Sequence, residues 1–221
     1  MRKNFQLCAQ VLRVATVVSL LTGMVVPGIL KERDSSSGNK DCSKLKVHFV
    51  DALVLANKPG GIVVEPDLCI QYPIEAENIT SELPLKETLN LITKANPAYS
   101  WIEKDCVITL LLLSVRPELL RTEIGSARIL LDANLDTVIS QLVGLPDVTA
   151  KLKELDLKAG LQFGGLHSPP KSKLPTEMSI NNMTLYDVLN EIVRKRGRGV
   201  WVYSESEFNG DKRFALEFVV K

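Results

Sequence analysis

The residues of this chain that most often do chemistry are few and lie far apart in the sequence. It has two histidines, His48 and His167, and four cysteines. Neither histidine belongs to a spaced set of metal ligands, and no Cys-x-x-Cys pair occurs, so we expect no zinc site. A Cys–His nucleophile pair can be drawn from Cys69 or Cys106 with His48, but no local motif supports it.

Carboxylate pairs and phosphate-binding loops are equally weak candidates. Two pairs of carboxylates could do acid–base chemistry, Glu75 with Glu77 and Glu205 with Glu207. A spacing of two residues more commonly means alternating side chains on an edge strand or in a loop. No glycine-rich phosphate motif and no Gly-x-Ser-x-Gly elbow occurs, and we interpret Gly60-Gly61 as a turn. The sequence therefore predicts no catalytic, cofactor-binding or metal-binding residue, and the protein is expected not to be an enzyme.

The charge of the chain argues against nucleic acid as a partner. The formal net charge is +1, and the first 30 residues contain three basic residues and no acidic one, so the remainder carries −2. A nucleic-acid-binding domain usually has a basic surplus. The basic cluster follows a predicted helix, where cations complement the helix dipole; a protein- or anion-binding patch is the alternative. The cluster consists of Arg194, Lys195, Arg196 and Arg198.

The N-terminus has the pattern of an export signal. Arg2 and Lys3 precede a stretch without charge, residues 14–30, which is typical of a secretory signal peptide. A membrane anchor is the alternative and an ordinary buried helix a third, although Pro27 and Gly28 favour cleavage. We predict a signal or anchor at 1–30, a linker at 31–44, and a location in the bacterial periplasm or cell envelope. Membrane contact is expected only through residues 14–30, if they remain uncleaved.

The cysteines beyond the leader allow at most one internal disulfide bond. They are Cys42, Cys69 and Cys106, an odd number, so one thiol would be left over in an oxidising compartment. Cys69 with Cys106 is the preferred pair, because Cys42 lies in the predicted linker. Buried unpaired thiols are the alternative.

An internal repeat is the most informative feature of the sequence. Residues 83–102 and 183–202 align without gaps at a shift of 100, and both tryptophans of the chain fall at the same position. The five identical pairs are Leu85/Leu185, Leu89/Leu189, Asn90/Asn190, Ile92/Ile192 and Trp101/Trp201. We interpret the repeat as a duplication. Two unrelated amphipathic helices, each followed by a strand, are the alternative.

Each copy of the repeat predicts a helix followed by two strands. Apolar residues of the second copy recur at i, i+3, i+4 and i+7, Thr184 with Asp187 resembles a capping box, and Gly197 ends the helix. We expect Trp101 and Trp201 to pack in the core, with exposed binding aromatics as the alternative.

Further elements follow from apolar runs and from glycine and proline. Helices are predicted at 48–57, 133–143 and 148–158, strands at 62–65, 71–76, 99–102, 106–113, 177–181, 200–203 and 214–220, and turns or loops at 103–105, 164–175 and 204–213. The predicted fold class is α+β, with two related units at 45–115 and 116–221. Each unit is a small mixed sheet with helices packed on one face.

The segment 178–189 carries a family resemblance. Its strand, Asn-x-Thr-Leu helix start and leucine-rich helix resemble the short N-terminal domain of secretins and TonB-dependent receptors, and residues 83–108 do so more loosely. The resemblance implies a small α+β module of the bacterial envelope that binds other proteins and does no chemistry. An envelope protein is therefore the expected partner. A small-ligand or glycan binder using a cleft between the two units is the alternative, and an unrecognised hydrolase the lesser one.

Overall fold

Each copy of the repeat folds as a helix followed by two strands, as the sequence predicts. The computed structural model describes residues 43–65, 83–114, 116–131, 134–160 and 177–220, all within one compact unit that spans residues 40–221. Its helices are α1 (Ser43–Leu55), α2 (Leu85–Ala95), α3 (Leu135–Val143), α4 (Pro146–Glu154) and α5 (Leu185–Arg196). Its strands are β1 (Gly60–Val64), β2 (Tyr99–Lys104), β3 (Val107–Leu112), β4 (Glu123–Leu130), β5 (Leu157–Ala159), β6 (Glu177–Thr184), β7 (Val200–Phe208) and β8 (Asp211–Val219).

Six strands form one mixed sheet, which confirms the predicted α+β class. Their order is β2-β3-β1-β7-β8-β5, while β4 pairs with β6 in a separate two-stranded sheet. The first three strands come from the predicted unit 45–115 and the last three from the predicted unit 116–221. The two units meet where β1 pairs in parallel with β7. One continuous sheet therefore runs through both units, and the boundary between residues 115 and 116 stays a prediction.

The two units contribute their strands in the same arrangement. Each unit has an antiparallel hairpin, which is β2–β3 in the first unit and β7–β8 in the second. The second hairpin strand pairs in parallel with an earlier strand that follows a helix: β3 with β1, and β8 with β5. Because β1 and β7 are parallel, the three strands of one unit run opposite to their counterparts in the other. A half-turn about an axis that lies in the sheet and crosses the strands, combined with a shift along that axis, therefore relates the two units in topology.

The helices of the two units pack on opposite faces of the sheet. Side chains alternate between the faces of a strand, and α1 and α2 pack with Ile62 and Val64, whereas α3, α4 and α5 pack with Val63 and Trp201. Each unit thus has its helices on one face of the sheet, and the half-turn places the two sets on opposite faces.

Both hairpins end in two-residue turns, and this corrects two predictions. Asp105 and Cys106 have φ of 52° and 64°, and Asn209 and Gly210 have φ of 53° and 80°, as type I′ turns require. The first turn is therefore shorter than the predicted 103–105. The chain turns inside the predicted segment 204–213, but only at Asn209 and Gly210, because β7 continues to Phe208 and β8 starts at Asp211. These polar residues remain in strands because the tight turn keeps the ladder in register.

Other boundaries also differ from prediction. Helix α1 begins at Ser43, inside the predicted linker, and α4 ends at Glu154, so Lys158 lies in β5 and not in a helix. Gly60-Gly61 is not a turn, since both residues open β1 and are buried. Strand β4 was not predicted, because its glycine, serine and charged residues give no apolar run.

Several predictions fall outside the described residues. They are the leader at 1–30, the strand at 71–76, the loop at 164–175, the pair Glu75 and Glu77, and His167, Cys42 and Cys69. Within the ranges that the structure describes, no helix has both the length and the apolar character needed to cross a membrane.

Candidate functional site

The same hydrogen bond joins helix to strand in both copies of the repeat. Trp201 Nε1 donates to Asn190 Oδ1 over 2.9 Å, and Trp101 Nε1 donates to Asn90 Oδ1 over 3.0 Å. In each copy the asparagine lies on the helix and the tryptophan on the first hairpin strand. This shared contact, between residues that the shift of 100 had aligned, supports the duplication.

The two tryptophans differ in burial because their strands differ in neighbours. Trp201 is fully buried, as predicted, and lies against Gly61 of β1, where an added Cβ would be 1.9 Å from the indole. Trp101 is only partly buried, since β2 is the last strand of the sheet. The next residues show the same contrast: Ile102 is 41% exposed and Val202 is 3% exposed.

The outer side of β2 presents backbone groups that no described strand pairs. The amide of Leu113 donates to Ala98 O over 2.9 Å, and hydrogen-bonded pairs recur every second residue along an antiparallel ladder. Ser100 and Ile102 therefore direct their backbone groups toward β3, whereas Trp101 and Glu103 direct theirs outward. We call this outer side of β2 the open edge.

The counterpart of the open edge in the second unit is occupied. Trp201 lies opposite Gly61 in the parallel ladder between β7 and β1, and the Gly60 amide donates to Gly199 O over 3.0 Å. The outward groups of β7 thus bond a strand of the other unit. The open edge has the same geometry, and within the described part of the chain it has no strand beside it.

A polar cleft lies between the two units. It has a volume of about 280 Å³ and lies between the β2–β3 turn and α5. Its charged and polar lining consists of Lys104, Asp105, Thr109, Asn182, Asp187, Asn190, Glu191 and Arg194. Much of this lining is already paired: Arg194 binds Glu191 through two hydrogen bonds of 2.6 and 2.7 Å, and Asp187 accepts a hydrogen bond of 2.6 Å from Thr184.

The ion pairs of the cleft lower the pKa of Glu191. Partial burial raises the pKa of Glu191, but the hydrogen bonds and charges of Arg194 and Lys195 outweigh it and hold this pKa below its ordinary value. Glu191 is thereby kept ionised and bound to its two cations, and an ionised, paired carboxylate is a poor general base or acid at neutral pH.

A second cavity lies beside α4. Its volume is about 470 Å³, and its charged lining consists of Glu118, Arg121, Glu123, Asp147, Lys151 and Glu154. Lys151 contacts Glu118 at 3.3 Å and Glu154 at 2.6 Å, and the Gly125 amide donates to Asp147 over 3.1 Å. The described residues hold no group of three or more side chains arranged to bind a metal ion.

Two of the candidate residues that the structure describes, Cys106 and Glu205, are bonded to other residues. Cys106 is disulfide-bonded, which removes the thiolate that a pair with His48 would need. The other cysteines lie outside the described residues, so the predicted partner Cys69 stays a prediction. Glu205 accepts a 2.5 Å hydrogen bond from the Tyr203 hydroxyl, whose pKa is raised by burial and by the nearby carboxylate.

The basic cluster is likewise engaged in packing and capping. Arg194 and Lys195 pair with Glu191, and Arg196 donates to Leu131 O over 2.6 Å. Glu191 and Lys195, four residues apart on α5, form an ion pair at 3.3 Å. These contacts hold two residues of the cluster to Glu191 within α5 and one to the backbone of Leu131, and the binding patch stays a prediction.

The sequence predicts a protein-binding module without locating its binding surface. The sequence feature that points to this surface is the pair of aligned tryptophans. Trp201 is buried on a strand in the middle of the sheet, whereas Trp101 lies on β2, at the end of the described sheet. Comparisons of the chain with protein-family models, with curated proteins and with solved structures find no match. The case for function therefore rests on the open edge and on the repeat that explains it.

Proposed function

We propose that this chain is a non-catalytic protein-interaction module of the bacterial envelope, which binds an extended segment of a partner protein along the open edge. The observation that carries the proposal is the outward backbone of Trp101 and Glu103. An added strand satisfies such groups and gains affinity from main-chain hydrogen bonds, while side-chain contacts give specificity. The partly buried indole of Trp101 would supply that specificity.

Three features support export as the setting of this interaction. The basic start and apolar run of residues 14–30 have the pattern of a signal peptide or anchor. The disulfide bond of Cys106 is typical of oxidising compartments. The segment 178–189 resembles the short N-terminal domain of secretins and TonB-dependent receptors, which are envelope modules that bind proteins.

A small ligand or glycan in the polar cleft is the second candidate function. The cleft lies between the two units, and the observation in its favour is its polar lining, which includes Asp105, Asn182 and Asn190. A hydrolase is the lesser alternative, because hydrolysis needs a nucleophile, base and oxyanion donors that converge on one point. The paired state of Glu191 and Asp187 in the cleft favours binding over hydrolysis.

The proposal is tested by cross-linking and pull-down from fractionated cells. The full-length chain is expressed in a bacterial host, periplasm and membrane are separated, and partners are recovered with wild type, Glu103→Pro and Glu103→Ala. Proline at 103 removes an outward N–H without breaking the β3 ladder, whereas alanine keeps it. We expect one envelope protein with wild type and the alanine variant, and its loss with proline. Recovery of the full-length chain in the cytoplasm, or equal recovery with proline, would contradict the proposal.

A further inference from the structure

We infer that the open edge selects a partner strand that carries glycine opposite Trp101 and an apolar residue beside Ile102. The inference deepens the proposed function and rests on it, because it names the kind of segment that the same site accepts. It follows from the way in which β7, the counterpart of β2, already receives a strand within this molecule.

The junction between β1 and β7 shows what a strand beside the repeated tryptophan needs. Gly61 lies opposite Trp201 in the parallel ladder. A Cβ added to Gly61 would lie 1.9 Å from Cε2 of the indole and 2.3 Å from both Cζ2 and Nε1. The indole of Trp201 therefore extends sideways over the neighbouring strand, and glycine is the residue that leaves room for it.

The indole of Trp101 is held in the same way. Its Nε1 donates to Asn90 over 3.0 Å, and that of Trp201 donates to Asn190 over 2.9 Å, each across eleven residues of sequence. The same side of the ring should therefore extend over the open edge, at the place that Gly61 occupies beside Trp201. A strand received there meets the indole before it meets any other side chain of β2.

The register of the junction transfers to β2 without a gap. Continued along the hairpin strands, the shift of 100 aligns residues 200–204, which face Gly60–Val64, with residues 100–104. All five of these positions lie within the described strand β2. A strand in this register places its glycine opposite Trp101 and its next residue, the counterpart of Ile62, beside Ile102.

The side chain beside Ile102 should be apolar. In the junction Ile62 lies opposite Val202, and both side chains are buried. Ile102 is 41% exposed at the matching position of the open edge. An apolar, preferably β-branched, side chain would cover Ile102, and the burial of apolar surface adds to affinity.

The second glycine of β1 has a different role and supplies a matched control. A Cβ added to Gly60 would lie 2.3 Å from the Leu53 side chain and 2.4 Å from the carbonyl oxygen of Ile108. Both contacts come from the unit to which β1 itself belongs. A free strand at the open edge brings no such unit with it, so alanine should be tolerated at the position of Gly60.

Short peptides can present such a strand to the full-length chain. The parent peptide has the sequence of residues 58–65 with Val63→Lys, because this position faces Tyr203 in the junction and would face the exposed Glu103 at the open edge. Binding is measured by NMR titration in mild detergent. The signals of the Trp101 indole N–H and the Glu103 amide locate the peptide at the open edge.

Two alanine peptides of equal composition measure the need for glycine. We expect Gly61→Ala in the peptide to weaken binding at least about tenfold, because the new Cβ would overlap the Trp101 indole. Gly60→Ala should change binding by less than about threefold. Equal affinities of the two alanine peptides, or a parent peptide that shifts no signal of the open edge, would overturn the inference.

A variant of the chain shows whether the indole is the cause. In Trp101→Val the ring is absent, so the two alanine peptides should bind alike, and a difference that persists would overturn the inference. If this variant loses the wild-type amide signals of β3, the comparison of the peptides on wild type decides alone. An envelope protein captured at the open edge through a segment with a larger side chain opposite Trp101 would refute the selection of glycine and leave the proposed function standing.

Discussion

Removing the side-chain amide of Asn190 should cost more stability than removing that of Asn90, although both make the same hydrogen bond. The perturbation is Asn190→Ala compared with Asn90→Ala in the full-length chain. Each asparagine lies in the middle of a helix and accepts a hydrogen bond from a tryptophan indole N–H, and each substitution removes that acceptor. The repeat thus supplies its own matched control.

The expected difference follows from the burial of the two indoles. Trp201 has no exposed surface, so its N–H would be left without any partner, which costs about 1–3 kcal/mol. Trp101 is partly exposed, and water can replace the lost acceptor at a cost below about 1 kcal/mol. Alanine also favours each helix by about 0.5 kcal/mol, and this gain cancels in the comparison.

We therefore expect Asn190→Ala to lower the free energy of unfolding by about 1–2 kcal/mol more than Asn90→Ala. Urea denaturation followed by far-UV circular dichroism measures this difference without relying on tryptophan fluorescence. In a Trp201→Phe background the effect of Asn190→Ala should shrink, because the donor is already absent. Equal costs for the two variants, or an unchanged effect in the Trp201→Phe background, would contradict the claim that burial makes the hydrogen bond from Trp201 to Asn190 the more stabilising of the two.

Three further predictions concern stability. Gly61→Ala should cost more than about 2 kcal/mol in denaturant titrations, because the new Cβ would overlap Trp201, whereas Gly125→Ala, with nothing within 4 Å, should cost less than about 0.5 kcal/mol; similar costs would refute the close approach. Thr184→Ala should lower stability by about 1 kcal/mol, since its hydroxyl caps the first turn of α5, and a thermal melt without a shift would contradict this. The lowered pKa of Glu191 means that its two cationic neighbours stabilise the fold at pH above its ordinary pKa of 4.5, and that this contribution is lost as pH falls through the folded pKa. Glu191→Gln should remove that part of the pH dependence, by less than about 1 kcal/mol because the pair is partly solvated; an unchanged stability profile below pH 4.5 would contradict it.

Local patterns in the sequence predicted the amphipathic helix α5 and the apolar strand β3. The helical face that includes Leu189 and Ile192 folds as α5, and the Thr184 cap and the end at Gly197 lie where the sequence placed them. The apolar run predicted as a strand at 106–113 becomes β3, and its side chains pack in the apolar clusters on both faces of the sheet.

Polar strands were harder to predict because their partners, and not their own residues, hold them in the sheet. Strand β4 is stabilised by its ladder with β6, about 55 residues later in the chain, and its own sequence contains Gly125 and Ser126. The polar half of β7 was predicted as a loop for the same reason. Pairing across long sequence separations leaves no periodicity for a single sequence to show.

The joining of the two units depends on one contact between distant residues. Gly61 is an ordinary turn residue in the sequence, and only its position beside Trp201 explains why glycine is needed there. The sequence alone does not locate the open edge, because the edge is defined by a neighbouring strand that β7 has and that β2 lacks among the described residues.

Amide hydrogen exchange at the open edge, measured residue by residue with NMR, tests the central claim most directly. In the dilute chain the amides of Trp101 and Glu103 should exchange much faster than that of Ile102, which bonds β3. They should become protected when the strand of the partner protein binds. Protection of Trp101 and Glu103 already in the dilute chain, or continued fast exchange in the complex, would contradict the account of the open edge as the binding site.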